Sequence, residues 1–214
     1  MSRSLRFAGD RRTPGRGDPQ RTRLIDAVVD LLGTTTIADL SVMRIAKHAG
    51  VTRGVFYFYF ESKYAVLAAA LGRVWDEFAE ARTMTADLDP SLPPAVLTRS
   101  LVLDAVTIWH RHHALIAAVV QARSSDGQLA QLWDGLTSGT ARQVGRVITE
   151  LYAAGRIRPS ADNLPLLVDT LFGMTIWALL EAGGDTDAAA RDQLVDVISA
   201  VWLASVWGHN AGGN

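Results

Sequence analysis

Apolar residues recur at three- and four-residue intervals along most of the chain, and the stretches that break this spacing are short and rich in Gly, Pro, Asp or Ser. That period is the period of an amphipathic helix. The first such pattern predicts a helix from Arg21 to Leu32, with Leu24, Val28, Leu31 and Leu32 facing inward and Gly33 as its stop. Val42, Ile45 and Ala46 begin a second helix behind Ser41, whose hydroxyl can accept from the orphan N–H groups of the first turn. Ala49-Gly50 ends it. Gly50 is free to take the left-handed conformation that reverses a chain after a helix, and Thr52 stands where it can cap a third. A fourth helix, Lys63 to about Arg82, carries Val66, Leu67, Ala70, Val74 and Phe78 on one stripe. After the break Asp89-Pro90-Ser91-Leu92-Pro93-Pro94, the patterns Ala95 to His110, Ala114 to Arg123, Gln128 to Ala154, Asn163 to Glu181 and Asp187 to Trp207 also read as helices. The predicted fold class is therefore all-α, with about nine helices and no internal repeat.

One segment tests that reading. Phe56-Tyr57-Phe58-Tyr59-Phe60 alternates as a strand would, but a lone strand among helices is not stable in water. As the end of a short helix and its exit, the run divides: Phe56 and Phe60 pack inward, while Tyr57 and Tyr59 are expected to keep their hydroxyls outward. Two short helices about a Gly turn form a helix-turn-helix, which inserts its second helix into the major groove of DNA. Thr52, Arg53 and Gly54 would then face base edges, with Arg53 as the main reader. Tyr57 and Tyr59 are expected to donate to phosphate oxygens, and Lys63, at the start of the next helix, to neutralise one. Ser41 and Arg44, at the start of the second helix, complete the predicted DNA-binding set.

Charge bears on this. The net charge of −1 alone argues against a nucleic-acid binder, yet residues 1–63 hold 11 Lys+Arg against 6 Asp+Glu, a net of +5, and residues 64–214 hold 10 against 16, a net of −6. A positive end attracts phosphate while the remainder is repelled, which orients the molecule on DNA. Seven arginines precede Leu24 among Gly, Pro, Asp and Ser. Residues 1–20 are expected to be a disordered basic arm that either engages a groove or remains a solvated tail.

The segments Ala49-Gly50-Val51-Thr52 and Tyr57-Phe58-Tyr59-Phe60-Glu61-Ser62-Lys63 resemble the TetR family of bacterial transcriptional regulators, whose N-terminal domains carry an A-G-V-[ST] turn followed by Y-x-[HY]-F-x-[ST]-K. The FYFYF run, Leu132-Trp133, and the pattern W-x-x-S-x-[WY]-G from Trp202 to Gly208 look more like the mycobacterial ethionamide-resistance repressor group within it. The resemblance implies a helix-turn-helix domain over residues 21–63 and a ligand-binding and dimerisation domain over residues 64–208. It also implies a pocket whose occupation spreads the DNA-binding heads. By order along the chain Trp133, Phe172 and Trp177 fall at pocket walls and Asp169 near a polar position facing the ligand, with Trp109 and Gly173 alongside. Large aromatics at helical spacing are equally the residues of an ordinary core, and that alternative stays open here.

The last two helices carry more apolar surface than one stripe. On the last, Leu194, Val197, Ile198, Val201 and Ser205 form one row and Val195, Trp202 and Val206 a second. A helix apolar over more than half its circumference needs two apolar neighbours. One is its own core and the other is most simply a second copy of the chain, so Leu194, Val197, Ile198, Val201, Trp202 and Ser205 are expected at a homodimer interface.

Other chemistry finds little purchase. The chain has no cysteine, which removes disulfides, thiolate nucleophiles and zinc knuckles. There is no G-x-S-x-G elbow, phosphate-cradling Gly loop or H-E-x-x-H, so neither an enzyme nor a cofactor is expected. His110 and His113 share a helical face but have no evident third ligand, and no metal site is predicted. No apolar segment follows the basic N-terminus, and the stretch Leu164 to Leu180, interrupted by Pro165 and Asp169, reads as too short to span a bilayer. The expectation is a cytoplasmic, homodimeric repressor that releases a palindrome-like double-stranded DNA operator when a small hydrophobic effector binds. A nucleoid-type structural DNA-binding protein is the alternative.

Overall fold

The computed structural model describes residues 18–86, 92–184 and 187–208, with the backbone alone at 82–86. The described residues form α1 (Pro19–Leu32), α2 (Val42–His48), α3 (Arg53–Tyr59), α4 (Lys63–Ala86), α5 (Pro94–Arg111), α6 (His113–Ala122), α7 (Gly127–Ala153), α8 (Leu164–Ala182) and α9 (Ala188–Trp207). Most of the basic arm, Asp89 to Ser91 of the predicted break, Asp185 and His209 lie outside the described residues.

Punctuation residues explain the element boundaries. Asp18 caps α1 by accepting from the N–H groups of Gln20 and Arg21, and Pro19 follows at the position where a missing N–H costs nothing. Ser41 accepts from Arg44 N at 3.2 Å and Thr52 from Val55 N at 3.2 Å, each capping its helix as its place in the sequence predicts. Asn163 and Asp187 cap α8 and α9 in the same way. Gly50, at φ 64°, closes α2 with a paired motif: Val51 N donates to Ala46 O and Gly50 N to Lys47 O. Gly155 repeats the device after α7, with Arg156 N on Leu151 O and Gly155 N on Tyr152 O.

The chain divides into two compact units, the first comprising the described residues up to Asp76 together with His112–Gly135. In this unit α1, α2 and α3 pack around Leu24, Ile25, Val28, Ile45, Phe56 and Phe60, all fully or almost fully buried, and α6 lies against α1. The first part of α4 is buried on every side from Ala65 to Gly72, and its small residues Ala68, Ala69 and Ala70 let neighbouring backbones come close. Trp75 meets Trp133 edge to face at 5.7 Å, and the Arg123 guanidinium lies over the Trp133 ring.

The second unit comprises Glu77–Arg111 and the chain from Leu136 onward. Here α9 packs chiefly along α5, with Arg99 and Asp196 paired at 3.1 Å. A further core joins α7, α8 and α9 through Ala141, Ile148, Ile157, Val168, Leu171 and Val206. The pattern W-x-x-S-x-[WY]-G is accounted for in this unit. Trp202 Nε1 donates to Thr175 Oγ1 at 2.9 Å, the Ser205 carbonyl accepts from Ser160 N at 2.8 Å, and Gly208 turns at φ 86°. A Cβ at Gly208 would lie 3.1 Å from the Arg158 carbonyl oxygen, so both its φ and its surroundings require glycine.

The link between α1 and α2 is held by a side chain from α4. Lys63 Nζ donates to the Ile37 carbonyl at 2.7 Å and the Leu40 carbonyl at 2.9 Å. Hydrogen bonds to a charged donor are the stronger class, and these two anchor a loop whose Ile37 and Leu40 side chains are buried. Lys63→Met keeps the aliphatic stem and deletes both bonds. It is expected to destabilise the first unit by about 2 kcal/mol, read as a lower thermal midpoint by circular dichroism; an unchanged midpoint would remove Lys63 from the fold's support.

Candidate nucleic-acid interface

Seven residues make α3, and successive side chains turn by about 100°. Phe56 and Tyr59 are buried and Val55 is half-buried, so this side is pinned against α1 and α2. Arg53, Gly54 and Phe58 are exposed and Tyr57 is half-buried, forming the opposite arc. Around Gly54 the nearest atom to an added Cβ is Thr52 Oγ1 at 3.7 Å, so the helix backbone is open to approach there. The Arg53 guanidinium lies 5.3 Å from the Tyr57 ring centre, and its Nη2 is 3.4 Å from the Tyr57 hydroxyl. This stacking holds the Arg53 side chain in place on the outward arc.

On α2, Arg44 is exposed and its Nη1 donates to Thr35 Oγ1 at 3.1 Å. Ser41 and Thr52 are exposed capping residues beside this face. The structure thus gathers Ser41, Arg44, Thr52, Arg53, Gly54 and Tyr57 on the helix-turn-helix with accessible groups.

Tyr59 and Lys63 are disposed differently from the sequence expectation. Tyr59 is only 4% exposed, and its hydroxyl donates to Asp18 Oδ2 at 2.6 Å rather than pointing outward. The reason is geometric. Residues two apart on a helix lie about 200° apart, so Tyr57 and Tyr59 cannot share an outward face. Asp18 thereby joins α1 to α3, with Oδ1 on the α1 N-terminus and Oδ2 on Tyr59. Lys63 uses its ammonium on two carbonyls, an arrangement that accounts for a lysine here without a phosphate. The sequence expectation left out Asp18, although Asp before Pro at a helix start is a readable cap signal.

The six aromatic-unit candidates separate. Trp133 lies in the first unit, buried against Trp75. In the second unit Trp109 is 4% exposed and Phe172 is half-buried, meeting Trp202 edge to face at 6.5 Å. Asp169, Gly173 and Trp177 are instead on the outer side of α8, where Trp177 is 63% exposed and nothing lies within 4 Å of an added Cβ at Gly173. The sequence expectation of a Trp177 pocket wall is not met in this arrangement, because Val168, Leu171 and Leu179 occupy the inward side of α8.

That outer side is itself apolar. Leu166, Thr170, Gly173 and Trp177 follow one another at helical spacing, all exposed, and the Thr170 hydroxyl is folded back onto the Leu166 carbonyl at 2.8 Å. By length and composition alone α8, at Leu164–Ala182 with a mean hydropathy of 1.5, is long enough to cross a membrane, a test that an apolar helix at the core of a globular protein also passes. On α9 the two predicted rows are resolved. Val195, Ile198 and Val206 are buried and Trp202 is turned inward to Thr175, whereas Val197 is 62% exposed and Leu194, Val201 and Ser205 are half-buried. Ile198 and Trp202 therefore serve the chain's own core, because that core claims the side of α9 centred on Val195.

Comparison with known proteins agrees with this architecture. The model of the TetR-family bacterial regulatory proteins matches residues 24–70, and that of the EthR transcriptional regulator C-terminal domain matches residues 98–208. The chain is 27% identical to the HTH-type transcriptional regulator EthR of Mycobacterium tuberculosis over 197 residues, covering 91% of this chain and 90% of that protein. The fatty acid metabolism regulator protein of Bacillus subtilis is 23% identical over 189 residues, with 86% and 96% of the two chains covered. Among solved structures, the fatty acid degradation regulator FadR of Bacillus halodurans superposes with a TM-score of 0.72 at 20% identity over 90% of this chain and 97% of its own. FadR of Bacillus subtilis, solved in complex with stearoyl-CoA, gives 0.64 at 22% identity over 88% and 99%. With a helix-turn-helix at residues 24–70 and an EthR-type domain over half of its length, the chain belongs to the TetR family of bacterial transcriptional regulators.

Proposed function

We propose that the protein is a cytoplasmic repressor that binds a palindrome-like operator as a homodimer and releases it when an apolar effector occupies the second unit. The observation that carries the DNA half is the outward arc of α3, with a pre-stacked Arg53 beside the bare backbone at Gly54. Arg53 reads guanine through its bidentate fork, Tyr57 and Arg44 contact the backbone, and Thr52 and Ser41 hold the helix starts in place. A phosphate contact by the Tyr59 hydroxyl would first require Asp18 to give up its hydrogen bond, whereas Lys63 spends two of its three ammonium protons on the loop carbonyls.

The homodimer is supported by the outer faces of α8 and α9. Leu166, Gly173 and Trp177 on α8 follow one another as an exposed apolar stripe of the kind that marks an interaction site, and α9 exposes Val197. Gly173 would allow a partner helix close approach, so Gly173 and Trp177 belong to the dimer face rather than the effector site, together with Leu194 and Ser205, while Val201 packs against the chain's own core. A twofold axis there duplicates the DNA-reading helix, and the two copies address half-sites about 34 Å apart or a multiple of it. The exposed Asp169 and Glu181 on α8 favour this covering over a lipid one.

For the effector, Trp109 and Phe172 in the second unit are the contacts, and Trp133 serves packing against Trp75. A relative solved with stearoyl-CoA directs the first choice of ligand toward an acyl chain. An effector shifts DNA binding only through its differential affinity for two states of the protein. α4 and α7, each of which starts in the first unit and ends in the second, are the helices through which such a difference would act.

Two measurements examine this reading. In a nuclease footprint on duplexes selected by the protein from a random pool, a short inverted repeat should be protected and then lose protection when stearoyl-CoA is added. Coating without register would favour a structural DNA binder, and persistence with acyl-CoA of every chain length would reject the acyl effector. Arg53→Ala should weaken binding by about 1 to 3 kcal/mol and relax discrimination at one base pair of each half-site. An equal loss on all sequences would make Arg53 a phosphate contact.

A further inference from the structure

The outward arc of α3 has two edges with different chemistry. Arg53 and Tyr57 form one, Gly54 lies in the middle, and Phe58 forms the other. The Arg53 edge belongs to the reading above, but the phenyl ring of Phe58 has no part in it. That ring is 51% exposed, although the same short helix buries Phe56 completely. It is held in place by an edge-to-face contact with Tyr59 at 4.9 Å and 87°, and Tyr59 is itself fixed through its hydroxyl to Asp18. Phe58 is thus a positioned apolar surface on the face that carries Arg53, in a part of the chain with a net charge of +5 over residues 1–63.

Within the major groove the base edges offer donors and acceptors, and one prominent apolar group, the C5-methyl of thymine. A phenyl ring can neither donate to nor accept from the former, but it gains by removing the methyl from water. With no side chain at Gly54, nothing on the helix between the two edges keeps it off the groove floor.

Resting on the DNA-binding reading, we propose that Phe58 is a specificity-determining residue that reads a thymine methyl on the opposite edge of α3 from the guanine read by Arg53. Five residues separate the two side chains, which is about 7.5 Å along the helix axis at 1.5 Å per residue. That spans roughly two base-pair steps of 3.4 Å. The thymine therefore lies about two base pairs from the Arg53 guanine in each half-site.

The test uses the full-length protein and the duplex it enriches most strongly from a random library. Each thymine is replaced in turn by deoxyuridine, which keeps the pairing and removes only the methyl. One replacement per half-site, near the Arg53 guanine, should weaken wild-type binding roughly fourfold, the value of one buried methyl-sized group. Phe58→Ala should bind the thymine and deoxyuridine duplexes equally, and Phe58→Leu should retain part of the preference. If Phe58→Ala fails to fold, as judged by thermal melting, the Phe58→Leu comparison decides in its place. A Phe58→Ala variant that keeps the full wild-type preference for thymine over deoxyuridine, or a wild-type protein indifferent to every replacement, overturns the proposal. Failure of the underlying reading is distinguishable, because the wild-type protein would then enrich no sequence at all, and the methyl contact would fall with it.

Discussion

α8 imposes the constraint on which the rest of the molecule turns: it is apolar nearly all round, yet the described residues cover only one side of it. Val168, Leu171 and Leu179 are buried, while Leu166, Gly173 and Trp177 stay exposed. Apolar surface in this quantity is removed from water by another apolar surface. α9 adds Val197 on its own outer side. If a second copy supplies the covering surface, twofold symmetry follows, and with it two copies of α3 and an operator with inverted repeats. The effector logic then has a mechanical target, since anything that changes the pairing of two chains changes the spacing of two reading helices.

The first unit shows polar groups recruited into bracing where a purely functional reading would leave them facing DNA. Lys63 satisfies two loop carbonyls, and Tyr59 and Asp18 tie α3 to the start of α1. Rigidity in α3 is useful because a reading helix of seven residues is too short to be stable by itself and depends on tertiary support. Phe56 and Phe60 supply that support from the apolar side, Asp18 and Tyr59 from the polar side. The outward residues are then presented without having to be ordered at the moment of binding.

Helix existence was legible because most boundaries are written in local chemistry, the start of α6 behind His112, which has no side-chain cap, being an exception. Ser41, Thr52, Asn163 and Asp187 are caps, and Gly50 adopts the positive φ that ends α2. What periodicity does not carry is which of two apolar stripes faces the chain's own core. Trp177 and Ile198 illustrate the failure in opposite senses, the first expected inside a pocket and found exposed, the second expected at an interface and found buried. Tyr59 failed for a different reason, the carry-over of strand-like alternation into a helix. Lys63 was illegible because its acceptors, Ile37 and Leu40, are more than twenty residues away and join it only through tertiary structure.

The dimer is the claim that joins the DNA-reading helices to the apolar outer faces, and sedimentation equilibrium of the full-length protein tests it most directly. At micromolar concentration, without DNA, the account predicts a single species at twice the chain mass of 23.1 kDa, and Trp177→Glu should shift it toward the single chain while leaving the helical content unchanged. A wild-type protein that sediments at 23.1 kDa at concentrations where it occupies its operator would contradict the account.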